Sequence, residues 1–176
     1  MKMKKIISVV VLMSAFTFFA CNKDDDNNNN NNTLSTTDLN FIMQATEGNN
    51  AEIGAAQVAI TNGNDSAVRA FGQRMVTDHQ MAQQSLDSIA GNYGITLTDS
   101  VSPQHQAEKD MLMSLSGMAF DSTYINGQIT DHTQAIQLYQ SELDNGSQPS
   151  VKDYVNRYLP VIQMHLQMAD SIKLNL

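Results

Sequence analysis

Four ionisable side chains of this 176-residue chain sit where a helix would turn them into its own core: Glu52, His79, His132 and His165. Each lies on a heptad-spaced line of small or apolar residues. His79 stands between Gly72 and Leu86, His132 between Ile125 and Tyr139, His165 between Tyr158 and Ile172, and Glu52 between Ala45 and Ala59. Neutral imidazole and carboxylate suit Zn, Fe, Mn or Cu, and a bundle interior fixes their directions. Burying such groups without partners costs several kcal/mol or shifts their pKa values until they are neutral. A single transition metal ion would compensate, and so would a Glu–His hydrogen bond.

Depth along the helices decides whether the four can meet. Counted from turns near residues 63 and 147 at about 1.5 Å per residue, Glu52 and His79 differ by roughly 8 Å, and His132 and His165 by roughly 5 Å. The four are therefore expected in one layer about a turn and a half thick. Asp78 and Asp131 point about 100° away from the histidines they precede. They are read as solvated or making capping-type contacts, with orientation of an imidazole as the other choice. His105, beside Pro103, reads as exposed and stays outside the set. Methionine is frequent (11 in all), and Met164 and Met168 flank His165. Thioethers suit Cu(I), but the simpler expectation is that Met fills gaps in a core without Trp. No nucleophile–base pair stands out, so catalytic residues are not assigned and the chain is read away from enzymes.

The elements that must carry these residues are all helical. A first helix starts near Asp38 as its cap and carries Ile42, Ala45, Asn49, Glu52, Ala56 and Ala59 on one seam. Asn62-Gly63-Asn64 ends it, and Asp65 or Ser66 caps a second helix that runs to Gly91. Pro103 suits the first position of a short helix reaching about Ser116. A third long helix follows Gly117, and a fourth follows a cap at Ser150, with Pro160 expected to kink it. The fold class is all-α, an up-down four-helix bundle with an added short helix before the third long one. Thr77-Asp78-His79 in the second helix echoes Thr130-Asp131-His132 in the third, which suggests a duplicated helix pair.

The N-terminus reads as export machinery rather than fold. Residues 1–20 carry Lys2, Lys4 and Lys5 before an apolar run, as a signal peptide does. Ala20-Cys21 resembles the box in which a lone Cys becomes the lipidated first residue of a bacterial lipoprotein. Residues 21–36 form an Asn/Asp-rich tether of low complexity, leaving 37–176 as the bundle domain. Loss of the three signal lysines takes the formal charge from −8 to −11. Such acidity excludes nucleic acid as a partner and leaves membrane attachment to the lipid at Cys21. The cell envelope is the expected location, as an outer-membrane lipoprotein on the periplasmic face or the cell surface.

Several segments together resemble a ferritin-like family of outer-membrane proteins catalogued as domain of unknown function 4142. They are Ala51-Glu52-Ile53-Gly54, the run Phe71 to His79, Leu115 to Asp121, Asp131-His132-Thr133, and Leu159-Pro160 with His165-Leu166. The resemblance spans residues 36–174 and implies a ferritin-like bundle in the envelope, without a reaction. Di-iron chemistry of the wider ferritin-like group needs Glu-x-x-His on two helices. Here Val76, Ile129 and Ile162 stand where those glutamates would be. Three readings therefore remain: a bundle that holds a metal for storage, sensing or resistance; a non-enzymatic maintenance or interaction module whose Glu/His cluster is a polar network; and, behind these, a periplasmic hydrolase or oxidase using an open metal position.

Overall fold

The computed structural model describes residues 33–176, so the expected signal peptide, the expected lipidation site Cys21 and most of the expected tether lie outside the described residues. Five helices follow in order: α1 Thr36–Asn62, α2 Ser66–Gly91, α3 Pro103–Ser114, α4 Gly117–Asn145 and α5 Pro149–Lys173. Among the described residues no helix is long and apolar enough to cross a membrane. The seams are buried as their spacing requires: Ile42, Ala56, Ala59, Val68, Leu86, Ile125 and Val151 are all sealed from solvent.

The helix starts differ in detail from the sequence expectation. Ser35, not Asp38, is the N-cap of α1, with Asp38 three residues on completing a reciprocal capping box. Asp65 caps α2 through the Ala67 N–H. Gln148 precedes Pro149 at the start of α5, so Ser150 lies inside the helix. The same helix runs unbroken through Pro160.

Two buried carboxylates fasten the bundle ends. Asp38 accepts from the Ser147 N–H at 2.9 Å and the Gln148 N–H at 3.0 Å, binding the start of α1 to the α4–α5 turn. Asp121 accepts from the Asn64 and Asp65 N–H groups at 2.9 and 2.8 Å, binding the start of α4 to the α1–α2 turn. These ties make α1 and α4 antiparallel. They also place α2 and α4 in the same direction, so the segment between them must climb back along the bundle. It does so beside α1: Asn50 donates to the Thr98 carbonyl, Glu47 accepts from the Ser102 N–H, and Gly54 faces Lys109. The up-down alternation thus holds with α3 counted as the upward stroke.

The paired ties expose an internal repeat. Asp38, Phe41, Ile42, Gly63, Val68, Phe71 and Arg74 recur as Asp121, Tyr124, Ile125, Gly146, Val151, Tyr154 and Arg157, always at the separation of Asp38 from Asp121. Near the helix ends, Asp87-Ser88-Ile89 recurs as Asp170-Ser171-Ile172. The duplicated unit is therefore α1–α2 and α4–α5. The Thr-Asp-His echo between α2 and α4 does not follow this register, for Asp78-His79 aligns with Val161-Ile162 and Asp131-His132 with Gly48-Asn49. The core divides accordingly into two apolar clusters. One is built on Phe41, Leu86, Tyr139 and Tyr154, the other on Phe71, Met75, Phe120 and Tyr124.

Methionine fills the core at only some positions, with Met168 packed against the second cluster. Met75 is sealed, whereas Met43, Met81, Met111, Met113 and Met118 are exposed.

Candidate metal centre

The bundle's waist carries a buried polar layer. Asn49 and Glu52 from α1, His79 from α2, Gln128 and His132 from α4, and His165 from α5 are all buried. One ring nitrogen from each of His79, His132 and His165 lies within 4.8 Å of the others. The ring centroids are 5.3 to 5.8 Å apart. The heptad spacing and the depth count placed Glu52 and these three histidines in one layer; the three histidines approach one another, and Glu52 is not among them.

Hydrogen bonds decide which nitrogen of each ring is free. The Gln83 amide donates to Asp87 at 2.9 Å, leaving its oxygen to accept from the Asn49 amide at 3.2 Å. Asn49 must then present its own oxygen to His79 Nδ1, 2.9 Å away, so Nδ1 carries the proton and Nε2 is a bare acceptor. His79 Nε2 is buried without a partner. His132 Nδ1 donates to the Gln128 carbonyl at 2.8 Å, leaving Nε2 bare. His165 Nε2 donates at 2.9 Å to Asp78, whose carboxylate also accepts from Arg74 at 2.9 Å, leaving Nδ1 bare. Every external partner thus pins a proton on the outer nitrogen and turns a lone pair inward. His132 Nε2 and His165 Nδ1 stand 3.3 Å apart. Two such lone pairs repel unless a cation or proton lies between them.

Burial also keeps these rings uncharged. Desolvation pushes His79 well below the usual histidine range, helped by its two neighbours. It pushes His132 down to about 4 against the Gln128 carbonyl, and it lowers His165 against the pull of Asp78. Neutral imidazole is the form a metal takes.

Glu52 sits beside the triad rather than within it. Its Oε2 accepts from the Gln128 amide at 2.6 Å, and its Oε1 is 3.7 Å from His132 Nδ1, the protonated side of that ring. Desolvation raises its carboxyl to about 7. Of the four expected ligands, three converge and the acid flanks them. Asp78 corrects the sequence reading, since it is a direct acceptor for His165 and not a solvated group. Asp131 is half-buried and raised to about 7, by burial first and then by the charges of Glu52 and Glu108. His105 is half-buried too, 3.1 Å from Glu47. The roles of Asn49 and Gln128 went unread. The available signal was a polar residue on a buried face, one turn before Glu52 and one turn before His132 respectively. Met164 does not face the triad through a free sulfur; its Sδ accepts from Arg74 at 3.7 Å.

A cavity of about 540 Å3 opens beside the triad, bounded by α1, α3 and α4. Glu52, His79, Tyr124, Gln128, Asp131 and His132 reach its wall.

Comparison with known proteins gives a family and a fold. The family described as a domain of unknown function, DUF4142, matches residues 24–172, and the chain belongs to it. No curated protein matches. A crystal structure of a DUF305 fragment from Deinococcus radiodurans is similar in fold, with a TM-score of 0.73 at 14% identity, over 81% of this chain and 99% of that one.

Proposed function

We propose that this DUF4142 protein binds one transition metal ion through His79, His132 and His165, and that it does so as a lipid-anchored protein of the outer membrane. The observation that carries the metal is the set of three inward lone pairs, each fixed by a partner on the far side of its ring. Donors oriented this way are what a metal site needs and what a metal-free core avoids. With metal–nitrogen distances near 2.0–2.1 Å, tetrahedral ligands stand about 3.4 Å apart. The 3.3 Å between His132 and His165 already fits that, and His79 offers a ring nitrogen within 4.8 Å of both. Three nitrogens and no bridging acid suit Zn or Cu better than a di-iron pair. Storage, sensing or resistance is the use proposed for the ion. The lipid anchor at Cys21 rests on the sequence, in which the lone Cys follows Ala20 and precedes a polar tether.

Titration of the purified mature chain with Zn(II) or Cu(II), followed by mass spectrometry under native conditions, tests this. One ion per chain is expected, lost in His132→Leu. A chain that stays metal-free at ion excess refutes it.

The hydrogen bonds to Asn49, Gln128 and Asp78 also favour a second reading, a polar network that sets helix register in an interaction or maintenance module. The two readings separate in the metal-free protein. A network predicts that His132→Leu lowers the melting temperature, whereas relief of facing lone pairs predicts no loss or a gain.

A further inference from the structure

The two sides of α1 are packed in opposite ways. Toward α2 the approach is close, and a Cβ on Gly72 would meet the Ala56 carbonyl oxygen at 3.0 Å. That side is also crossed by the Asn49–Gln83–Asp87 chain. Toward α4 the seam is lined with small residues, and a Cβ on Gly48 or on Gly127 would meet nothing within 4 Å. On the far side of the triad, Asp78, Arg74 and Met164 close over His165. The open seam is the 540 Å3 cavity, whose outer rim carries Glu47, Glu108, His105 and Lys109 on α1 and α3.

Polar atoms along that cavity are left facing it. Gln128 spends its amide on Glu52, so its Oε1 is buried without a partner, as is the Tyr124 hydroxyl. At the inner end is His79 Nε2, also without one. Two acceptors and a hydroxyl, beside the Glu52 carboxyl, suit a hydrated cation and would repel an anion. The cavity is far larger than a bare ion, which leaves room for the water such an ion carries.

From this geometry we infer that a hydrated divalent cation reaches the three histidines through the α1–α4 cleft under α3, pausing at Glu52 and the Gln128 oxygen. The inference rests on the metal reading above and adds its route. Glu52 is then a positioning residue for loading, met on the way to the triad and released once the ion is bound. Glu47 and Glu108, half-buried on the cavity lining, add negative charge that favours a cation along the route, and Gly48 and Gly127 keep it wide.

Stopped-flow loading of the mature chain with Co(II) chloride, read by the visible spectrum of the bound ion, tests the route. Gly127→Leu and Gly48→Leu fill the cleft without touching a charge, and each exchanges a poor helix former for a good one, so folding is retained. Each is expected to slow loading by about tenfold or more while leaving the final spectrum unchanged. Glu52→Gln is expected to slow loading by a similar factor with the same final spectrum, and Glu108→Gln by about twofold with a weaker dependence on salt. Loading at the wild-type rate in both plugged variants overturns the route. A changed final spectrum in Glu52→Gln overturns the waiting role, because Glu52 would then be a resident ligand. Failure of the wild-type chain to take up Co(II) or Zn(II) at all is a different result, and it removes the metal reading itself.

Discussion

The two ends of the bundle and its waist obey the same repeat to opposite effect. At the ends, Asp38 and Asp121 occupy equivalent positions and perform equivalent work, each accepting backbone N–H groups of the turn in the other half. At the waist, equivalence fails at every residue that matters. His132 corresponds to Asn49, His165 to Ala82, His79 to Ile162, and Glu52 to Ala135. A duplicated helix pair therefore supplies the frame, and departures from duplication supply the chemistry. Asn49 shows the economy of this: in the place of His132 it becomes the acceptor that orients His79.

The largest effect is expected where the frame is fastened. Asp38 accepts from Ser35 twice, from Ser147 twice and from Gln148, and those bonds hold its carboxyl well below the usual range although burial alone would raise it. Replacing it by Ala strands buried N–H groups, and a loss of about 4 kcal/mol in urea unfolding is expected. Asp121→Ala, with two such bonds, should lose about 2 kcal/mol. Equal losses would show that the two ends are not fastened unequally as these bonds imply.

Glu142 breaks the symmetry of the ends, since its counterpart is Ala59. Its carboxyl is buried against Asp38, and burial first, then a hydrogen bond to Asp38 and the charge of that group, raise it to about 7. A carboxyl that binds its proton more tightly folded than unfolded costs stability as pH rises from about 4.5 to about 7, and the cost persists above that. Glu142→Gln should therefore stabilise at pH 8, on the order of 2 kcal/mol, and change little at pH 4. Thermal melts at both pH values check the sign.

The histidines give the opposite slope. His132 must stay neutral when folded down to about 4, so the metal-free chain loses stability as pH falls from about 6.5 toward 4, where the unfolded chain takes up the proton first. His132→Leu should flatten that part of the pH profile. At the waist the smallest change is to an orienting partner. Asn49→Ala leaves His79 in place but frees its tautomer, and metal affinity should fall about 10–100-fold by competition titration.

Much of the frame was legible because a helix seam repeats: Ile42, Val68, Ile125 and Val151 could be placed from spacing alone, and the same spacing turned three histidines inward. The true repeat was hidden because its matched residues are scattered singly, Asp38 with Asp121 and Phe71 with Tyr154, while an accidental Thr-Asp-His run was compact. The orienting partners were illegible for a different reason. Helical period gives the angle of Asp78 about its own axis, but His165 lies on another helix, and which imidazole stands opposite depends on packing. Glu52 was placed at the right depth, yet depth does not tell which nitrogen of His132 it meets.

The most direct test is the metal content and ligand set of the mature chain. Zn(II) or Co(II) titration followed by X-ray absorption should give one ion per chain with three imidazole nitrogens, abolished by His132→Leu and retained in Asp121→Ala. A chain that binds no ion, or one that binds equally well without His79, His132 and His165, would contradict the assignment of the waist as a metal centre.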